Sequence, residues 1–473
     1  MTTNKPGVRI EKDTMGPMEV PESAYYGAST MRAVLNFPIS EVRFQRSFIR
    51  SMGLIKLAAA QTNTELGLLD KKISDVIVKA AQEVADGKFD SHFAVDIYQT
   101  GSGTSTNMNA NEVIANRAGE HLGQARGSRA VHPNDHVNMG QSSNDVIPTA
   151  IHLAALIDIN EKLLPSLTKL QKALEKKSKE FAKIVKTGRT HLQDATPVTL
   201  GQEFSGYAGQ VERAIKRVKT ARQELSEVAL GGTAVGSGVN THLRFSRLTC
   251  ARVSKLAGVR ITETTSHFQA QSTLDNVVQA SGCLRTVSVS LLKIANDLRF
   301  LGSGPRAGLG ELALPEVQPG SSIMPGKVNP VIAESLIQVC AQVIGNDAAV
   351  TMSGQWSFFE LNTMMPVAAY NLLQSISLLS AASANFAEQC VSGIKATDHG
   401  PQMVSKGLML ATALAPIVGY DKAAAIAKEA AKTGRTIAEV AKEQTKLSDA
   451  ELKKALDPIA MTKPGAKAAG GGG

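Results

Sequence analysis

Cysteine is scarce in this chain. The 473 residues contain four, Cys250, Cys283, Cys340 and Cys390, far apart and without a CxxC pair, which argues against a disulfide framework and a cysteine-ligated zinc site and points to a reducing compartment. Aromatic residues make up 4%, too few for the stacking platform of a single-strand nucleic-acid binder. No run approaches the roughly 18 uninterrupted apolar residues of a membrane span. The N-terminal MTTNKPGVRIEKDTMG has neither the apolar segment of a secretory signal nor the acid-free, Arg-rich character of a transit peptide. A GxxxxGK[ST] phosphate loop is also missing. The expectations are therefore no nucleic acid, no membrane and a cytoplasmic location, a mature mitochondrial-matrix form being equally compatible with the sequence.

What is present is a globular balance of 43% apolar and 20% charged residues, with 51 Lys and Arg against 42 Asp and Glu. The excess of nine positive charges is scattered along helical Lys, so it suits a small anionic substrate better than a polyanion. Apolar residues recur every three or four positions over long spans. Phe204, Ala208, Val211, Ile215, Val218, Ala221, Leu225 and Val228 form one stripe, with Glu212, Arg213, Lys216, Arg217, Lys219 and Glu224 mostly opposite. Comparable seams run from Leu153 to Leu174 and from Leu274 to Leu301, and two more occupy 330–350 and 362–394. Five such helices predict a mainly α fold with a long antiparallel central bundle. Shorter helical patterns flank it, giving an N-terminal domain over 1–140, the bundle over 141–395, a small helical C-terminal domain over 396–464 and a disordered Gly-rich tail over 465–473. Within the C-terminal part, a helix over 421–432 is expected to stop before Gly434, and Ser448 with Glu451 reads as a capping box.

Four polar segments interrupt the helices: GSGTSTNMN at 101–109, GQSSNDVIP at 140–148, KTGRTHLQDATP at 186–197 and GSSIMPGKVNP at 320–330. Loops dense in Ser, Thr, Asn and Gly offer hydroxyl, amide and backbone N–H donors to carboxylate or phosphate oxygens. GGTAVGSG at 231–238 follows a helical pattern instead of a strand, so it reads as a turn and not a dinucleotide fingerprint. His132, Asp135 and His136 suggest a metal site by spacing, but Pro133 breaks the helical face, and no metal is expected. Ala280-Ser281-Gly282 lies in a helical seam, where small residues serve close packing. His191 sits among hydroxyl and amide groups, and Glu334 opens a later helix, where a carboxylate can orient an imidazole.

The segment GSSIMPGKVNP resembles the signature of the fumarase/aspartase superfamily. The likeness spans about residues 8–464 and includes DTMGPMEVP, TGSGTSTNMNANEVIANRA, HPNDHVN, QSSND, GRTHLQDATPVTLGQEFSGY and IANDLRFLGSGPRAGL. It implies a homotetramer with each active site shared among three subunits, acting on a small dicarboxylate without a cofactor. It also implies Ser321 as the base, His191 oriented by Glu334 as the acid, directly or through a water, and Lys327 on the substrate carboxylate. Ser102, Gly103, Thr104, Ser142, Ser143, Asn144, Thr190, Ser322, Val328 and Asn329 match the family's substrate-binding positions. Arg129, His132, Asn134 and Asp135 match a second anion site, for which a capped surface turn is an equal alternative. QSSND, GGTAVG and LMLATAL followed by GYDKAA favour the fumarate hydratases, which interconvert fumarate and malate. Aspartate ammonia-lyase is the alternative enzyme and an inactive structural member the non-enzymatic one. Met31 and Trp356 depart from the family pattern.

Overall fold

The computed structural model describes residues 7–464; the tail expected over 465–473 lies outside them, as does the extreme N-terminus. In chain order the first elements are the hairpin β1 (Val8–Asp13) and β2 (Gly16–Pro21), then α1 (Ala28–Asn36), α2 (Arg46–Glu65), α3 (Lys71–Ala85), α4 (Thr104–His121), α5 (Ser143–Asp158) and α6 (Leu164–Glu180). A second hairpin, β3 (Val185–Thr190) and β4 (Gln193–Thr199), leads into α7 (Leu200–Glu224). There follow β5 (Glu227–Val228), α8 (Phe245–Ala257), β6 (Thr262–Glu263), α9 (His267–Ser272), α10 (Asp275–Leu301), β7 (Leu312–Ala313) and α11 (Val331–Gly354). The short pair β8 (Ser357–Phe358) and β9 (Leu361–Asn362), α12 (Met365–Gln389) and β10 (Lys395–Ala396) precede the C-terminal helices.

The mainly α expectation holds, and the predicted seams are its core. Leu153, Leu163, Leu167, Leu170 and Leu174 are fully buried, as are Phe204, Val211, Val218 and Leu225, and Val277, Leu291, Ile294 and Leu298. Helices α7, α10, α11 and α12 run 25, 27, 24 and 25 residues, each roughly 36–40 Å at 1.5 Å per residue. Two details differ from the periodic reading. The Leu153–Leu174 seam is carried by two helices joined through a π-helical turn at Ile159–Leu163. The next seam leaves its helix at Glu224, and Val228 instead lies in β5, paired in parallel with β6.

By packing, the chain forms two compact units. One comprises Met1–Pro165, Ala214–Val289 and Val339–Ala381; the other comprises Ser166–Arg213, Ser290–Gln338 and Ala382–Gly473. These units follow spatial contacts and cut across α7, α10, α11 and α12, whereas divisions at 140 and 395 follow sequence texture. In the second unit the helix Tyr420–Thr433 ends on Gly434 at φ 70°, and Ser448 and Glu451 make the expected reciprocal cap. Leu414, Ile426, Ala430, Ile437 and Val440 bury together there as a small separate core.

By composition α10 alone among the described residues is long and apolar enough to cross a membrane, yet 44% of its most apolar window is buried within the protein. A seam helix meets the same criterion as a membrane span because both need one continuous apolar length.

In the first unit, Gly101 lies against the start of α12. Its carbonyl accepts from Met365 N–H at 2.9 Å, and a Cβ at 101 would stand 1.7 Å from the Thr363 carbonyl oxygen. Gly101→Ala should therefore destabilise the protein by about 1–3 kcal/mol, the usual cost of overpacking. An unchanged denaturation midpoint would show that this approach relaxes freely.

Candidate active site

In the first unit, two helix N-termini converge. Gly103, in the left-handed region at φ 71°, precedes α4, and a Cβ there would press within 2.9 Å of Ile147 on α5. Thr104 thus opens α4 while Ser142 caps α5, its hydroxyl accepting from Asn144 N–H at 3.2 Å. A chain of hydroxyls joins the two: Ser102 Oγ to Thr104 Oγ1 at 2.8 Å, and Thr104 Oγ1 to Ser143 Oγ at 2.7 Å. Asn144 donates through Nδ2 to the Ala234 carbonyl at 2.8 Å. Unsatisfied N–H groups and the positive ends of two helix dipoles make this a place for negative charge.

Behind these groups is Asp145, fully buried. Its Oδ1 accepts from Ser142 N–H at 2.9 Å, and its Oδ2 accepts from Gly231 and Thr233 N–H at 2.9 and 3.0 Å. The segment at 231–238 is therefore a turn, as expected, and it is fastened to the start of α5. Burial pushes the Asp145 carboxyl up to about 6, against the pull of these donors and the charge of Lys56. Burial likewise pushes the Lys56 ammonium down to about 7. Lys56 Nζ donates to Asn138 Oδ1 at 2.8 Å, and Asn107 Nδ2 bonds the same oxygen at 3.2 Å. Thr104, Asn107, Asn138, Gln141, Ser142, Ser143 and Thr233 line a cavity of about 370 Å³, with Met108, Ala234 and Val239 supplying apolar wall. That volume is in the range of small-molecule sites.

The remaining expected catalytic and substrate-binding residues lie in the second unit, and those of the expected second anion site in the first. Strands β3 and β4 close on a two-residue turn, His191 and Leu192, since Thr190 pairs with Gln193. Both turn residues have positive φ, 56° and 61°, the geometry of a type I′ hairpin, where Asn-Gly is the usual occupant. His191 is consequently presented to solvent at the tip, with Thr190 and Leu192 exposed beside it.

Ser321 sits in a loop that closes on itself. Gly320 N–H donates to the Lys327 carbonyl at 2.8 Å, Asn329 Nδ2 to the Gly320 carbonyl at 2.7 Å, and Lys327 Nζ to Asn329 Oδ1 at 2.9 Å. Within this ring the Ile323 and Met324 N–H groups donate to Ser321 Oγ at 3.3 and 3.1 Å. Two donors on one hydroxyl oxygen favour its ionised form. Ser322, Lys327 and Val328 are exposed, and Asn329 is half-buried at the loop base. Glu334 stands in the first turn of α11.

The chain thus groups Ser102, Gly103, Thr104, Ser142, Ser143 and Asn144 in one place, and Ser321, Ser322, Lys327, Val328 and Asn329 in another. No hydrogen bond or ion pair joins His191 to Glu334 or to Ser321 among the described residues. Around the expected second anion site, His132 caps a π-helical turn at Pro133–Val137, its Nδ1 accepting from Asn134 and Asp135 N–H at 3.3 and 3.1 Å. Asp135 Oδ2 lies 3.1 Å from the same nitrogen, and the Arg129 guanidinium is bonded to the Lys12 carbonyl. The capped-turn geometry is present there. Among the described residues no three His, Cys, Asp or Glu side chains gather as a metal site. Motif reading missed Lys56, Asn107, Asn138 and Thr233; the runs containing Asn107, Asn138 and Thr233 were visible, but their places at the cavity follow from the packing around α4, α5 and Asp145.

A family profile described as Lyase matches residues 16–345, and one described as Fumarase C C-terminus matches 410–463. The chain is 53% identical over 465 residues to a class II fumarate hydratase of Bradyrhizobium diazoefficiens, covering 98% of each. It belongs to the class II fumarate hydratase family. The human mitochondrial fumarate hydratase is 52% identical across 96% of this chain and 90% of that one. The crystal structure of the Schistosoma mansoni class II fumarase superposes with a TM-score of 0.95 at 39% identity, covering 97% of this chain and 99% of that one. The fumarate hydratase fold therefore extends over both packing units.

Leu192 holds a left-handed conformation that costs a branched side chain energy, while 77% of it is exposed and contributes little packing. Leu192→Gly should raise stability by about 1 kcal/mol. A lowered melting temperature would show that the side chain makes up the strain through a contact.

Proposed function

We propose that the protein interconverts fumarate and L-malate by adding and removing water. The observation that carries this reading is the hydroxyl chain Ser102–Thr104–Ser143 laid across two helix N-termini, next to a cavity of about 370 Å³. It offers donors for carboxylate oxygens and room for a four-carbon dianion.

In the malate-to-fumarate direction, Ser321, ionised with the help of its two N–H donors, takes the C3 proton. The electron pair forms an aci-carboxylate whose charge Ser322, Lys327 and Asn329 hold. Collapse of that species makes the C2–C3 double bond and breaks the C2–O bond. His191, oriented by Glu334, gives its proton to the departing hydroxide directly or through a water, so water leaves. Hydration runs the same steps backward. Ser102, Gly103, Thr104, Ser142, Ser143, Asn144, Thr190 and Val328 shape the pocket. The turn of Arg129, His132, Asn134 and Asp135 is the candidate second anion site.

We further propose a homotetramer whose sites each draw on three copies. In support, His191 is presented at a hairpin tip without a bond to Glu334 or Ser321 among the described residues. Val289 and Phe300 on α10 and Ile344 and Met352 on α11 are 55%, 51%, 37% and 52% exposed, apolar surface that a second copy would cover. Four free thiols, three of them buried, fit a cytoplasmic location.

The test is ultraviolet absorbance of the conjugated double bond, with malate and separately with aspartate. Fumarate from malate alone is the expected result; fumarate from aspartate alone would make this an ammonia-lyase, and no product from either would remove both readings. Ser321→Ala should lower kcat by at least about 100-fold, as loss of a positioned base does; retained turnover would exclude Ser321. Thr104→Val removes the central hydroxyl of the chain and should weaken fumarate binding by about 1–3 kcal/mol, read as a raised KM. An unchanged KM would place the dianion elsewhere.

A further inference from the structure

Beneath the hairpin that carries Thr190 and His191 lies a group of charged side chains to which no step of the reaction has been assigned. Lys186, on β3, is 1% exposed, and its Nζ lies 2.7 Å from Glu203 Oε1 and 3.1 Å from Glu311 Oε2. Glu311 is 4% exposed and accepts from the Arg189 guanidinium at 2.6 Å. A buried ion set is a weak source of stability, since desolvation offsets attraction, but it fixes geometry closely when each charge is paired.

The backbone around Glu311 is also fastened. Its N–H donates to the Leu301 carbonyl at 2.9 Å, and its carbonyl accepts from Thr397 N–H at 3.1 Å. Strand β7 begins at the next residue, and the chain then runs to Gly320 and the serine loop. On the other side of the carboxylate, Arg189 immediately precedes Thr190, the last residue of β3 before the His191 turn.

We propose that Glu311 is a positioning residue of the hydration reaction: through Arg189 and Lys186 its carboxylate fixes the strand that bears Thr190 and leads to His191 against the segment that runs on to the serine loop. The proposal rests on the hydratase reading above. Glu311 acts through Arg189 and Lys186, away from the reacting atoms. If each site draws on several copies, the hairpin tip and the loop must each meet other chains at a set position. A shift at their common root then misplaces acid and base together, and a misplacement of about 1 Å can cost about 100-fold in rate.

The experiment compares Glu311→Gln, Glu311→Asp and Lys177→Met with the wild type, reading kcat, KM for fumarate and the unfolding midpoint. Lys177 is a control from the same unit: it is buried, lies 2.9 Å from Glu180 Oε2 and donates to the Ile394 carbonyl at 2.7 Å, so its loss tests a buried cation that shares no hydrogen bond or ion pair with Lys186, Arg189 or Glu311 among the described residues. Expected are a fall in kcat of about 100-fold in Glu311→Gln with KM within about threefold, partial recovery of kcat in Glu311→Asp, and a lowered midpoint with unchanged kcat in Lys177→Met. A Glu311→Gln protein that loses stability but keeps wild-type kcat would overturn the proposal, because the role would then be structural. Should Glu311→Gln not fold, Glu311→Asp decides: lowered kcat at unchanged KM supports the proposal, and wild-type kcat overturns it. Wild-type protein that turns over neither fumarate nor malate would overturn the hydratase reading and this proposal with it.

Discussion

The cavity-lining wall of the first unit depends on one carboxylate. Asp145 takes three backbone N–H donors, from Ser142, Gly231 and Thr233, at 2.9 to 3.0 Å, and so ties the start of α5 to a turn far along the chain. Hydrogen bonds to a charged group contribute about 1.5–3 kcal/mol each, but a buried carboxylate also carries a desolvation cost. The balance is visible in the upward shift to about 6. Without this carboxylate the donor groups of the 231–233 turn would be buried unpaired, and Ser142, Ser143 and Asn144 would lose their common frame.

The electrostatics of the site follow from that frame. With Asp145 behind the wall and two helix N-termini in front, the field toward the cavity is set by backbone N–H groups and hydroxyls, and no Arg or Lys is among the cavity-lining residues. Lys56 acts at one remove, through Asn138. Such fixed dipoles reorganise little as charge moves from a substrate carbon to its carboxylate. The excess of nine positive charges over the whole chain adds an attraction for dianions at longer range, which salt screens.

Much of this was legible in the sequence because its two strongest signals are local. The 3.6-residue seams marked the buried faces of α7 and α10 almost residue by residue, and the serine-loop segment carried its own Gly, Pro and Asn punctuation. The β3–β4 hairpin was hidden because its turn is His191-Leu192, with neither Asn nor Gly to announce it, and because Lys186 and Arg189 read as loop chemistry. The Arg189–Glu311 pair, 122 residues apart, leaves no periodic or local trace. Lys56 reads as one more helical lysine, since burial on every side of α2 depends on what packs around it. The turn at 132–137 was open between two readings, and its capping hydrogen bonds show how polar residues in a Pro-led turn satisfy the backbone locally.

The serine loop is closed by the Gly320–Lys327 backbone bond and the Asn329 amide, so the segment between them has little freedom to rearrange internally. Any excursion must take place at its two stems and carry the whole ring. In the proposed mechanism the base Ser321 and the carboxylate anchor Lys327 thus belong to one closed ring, and their separation is set by its bonds and not by the rest of the chain.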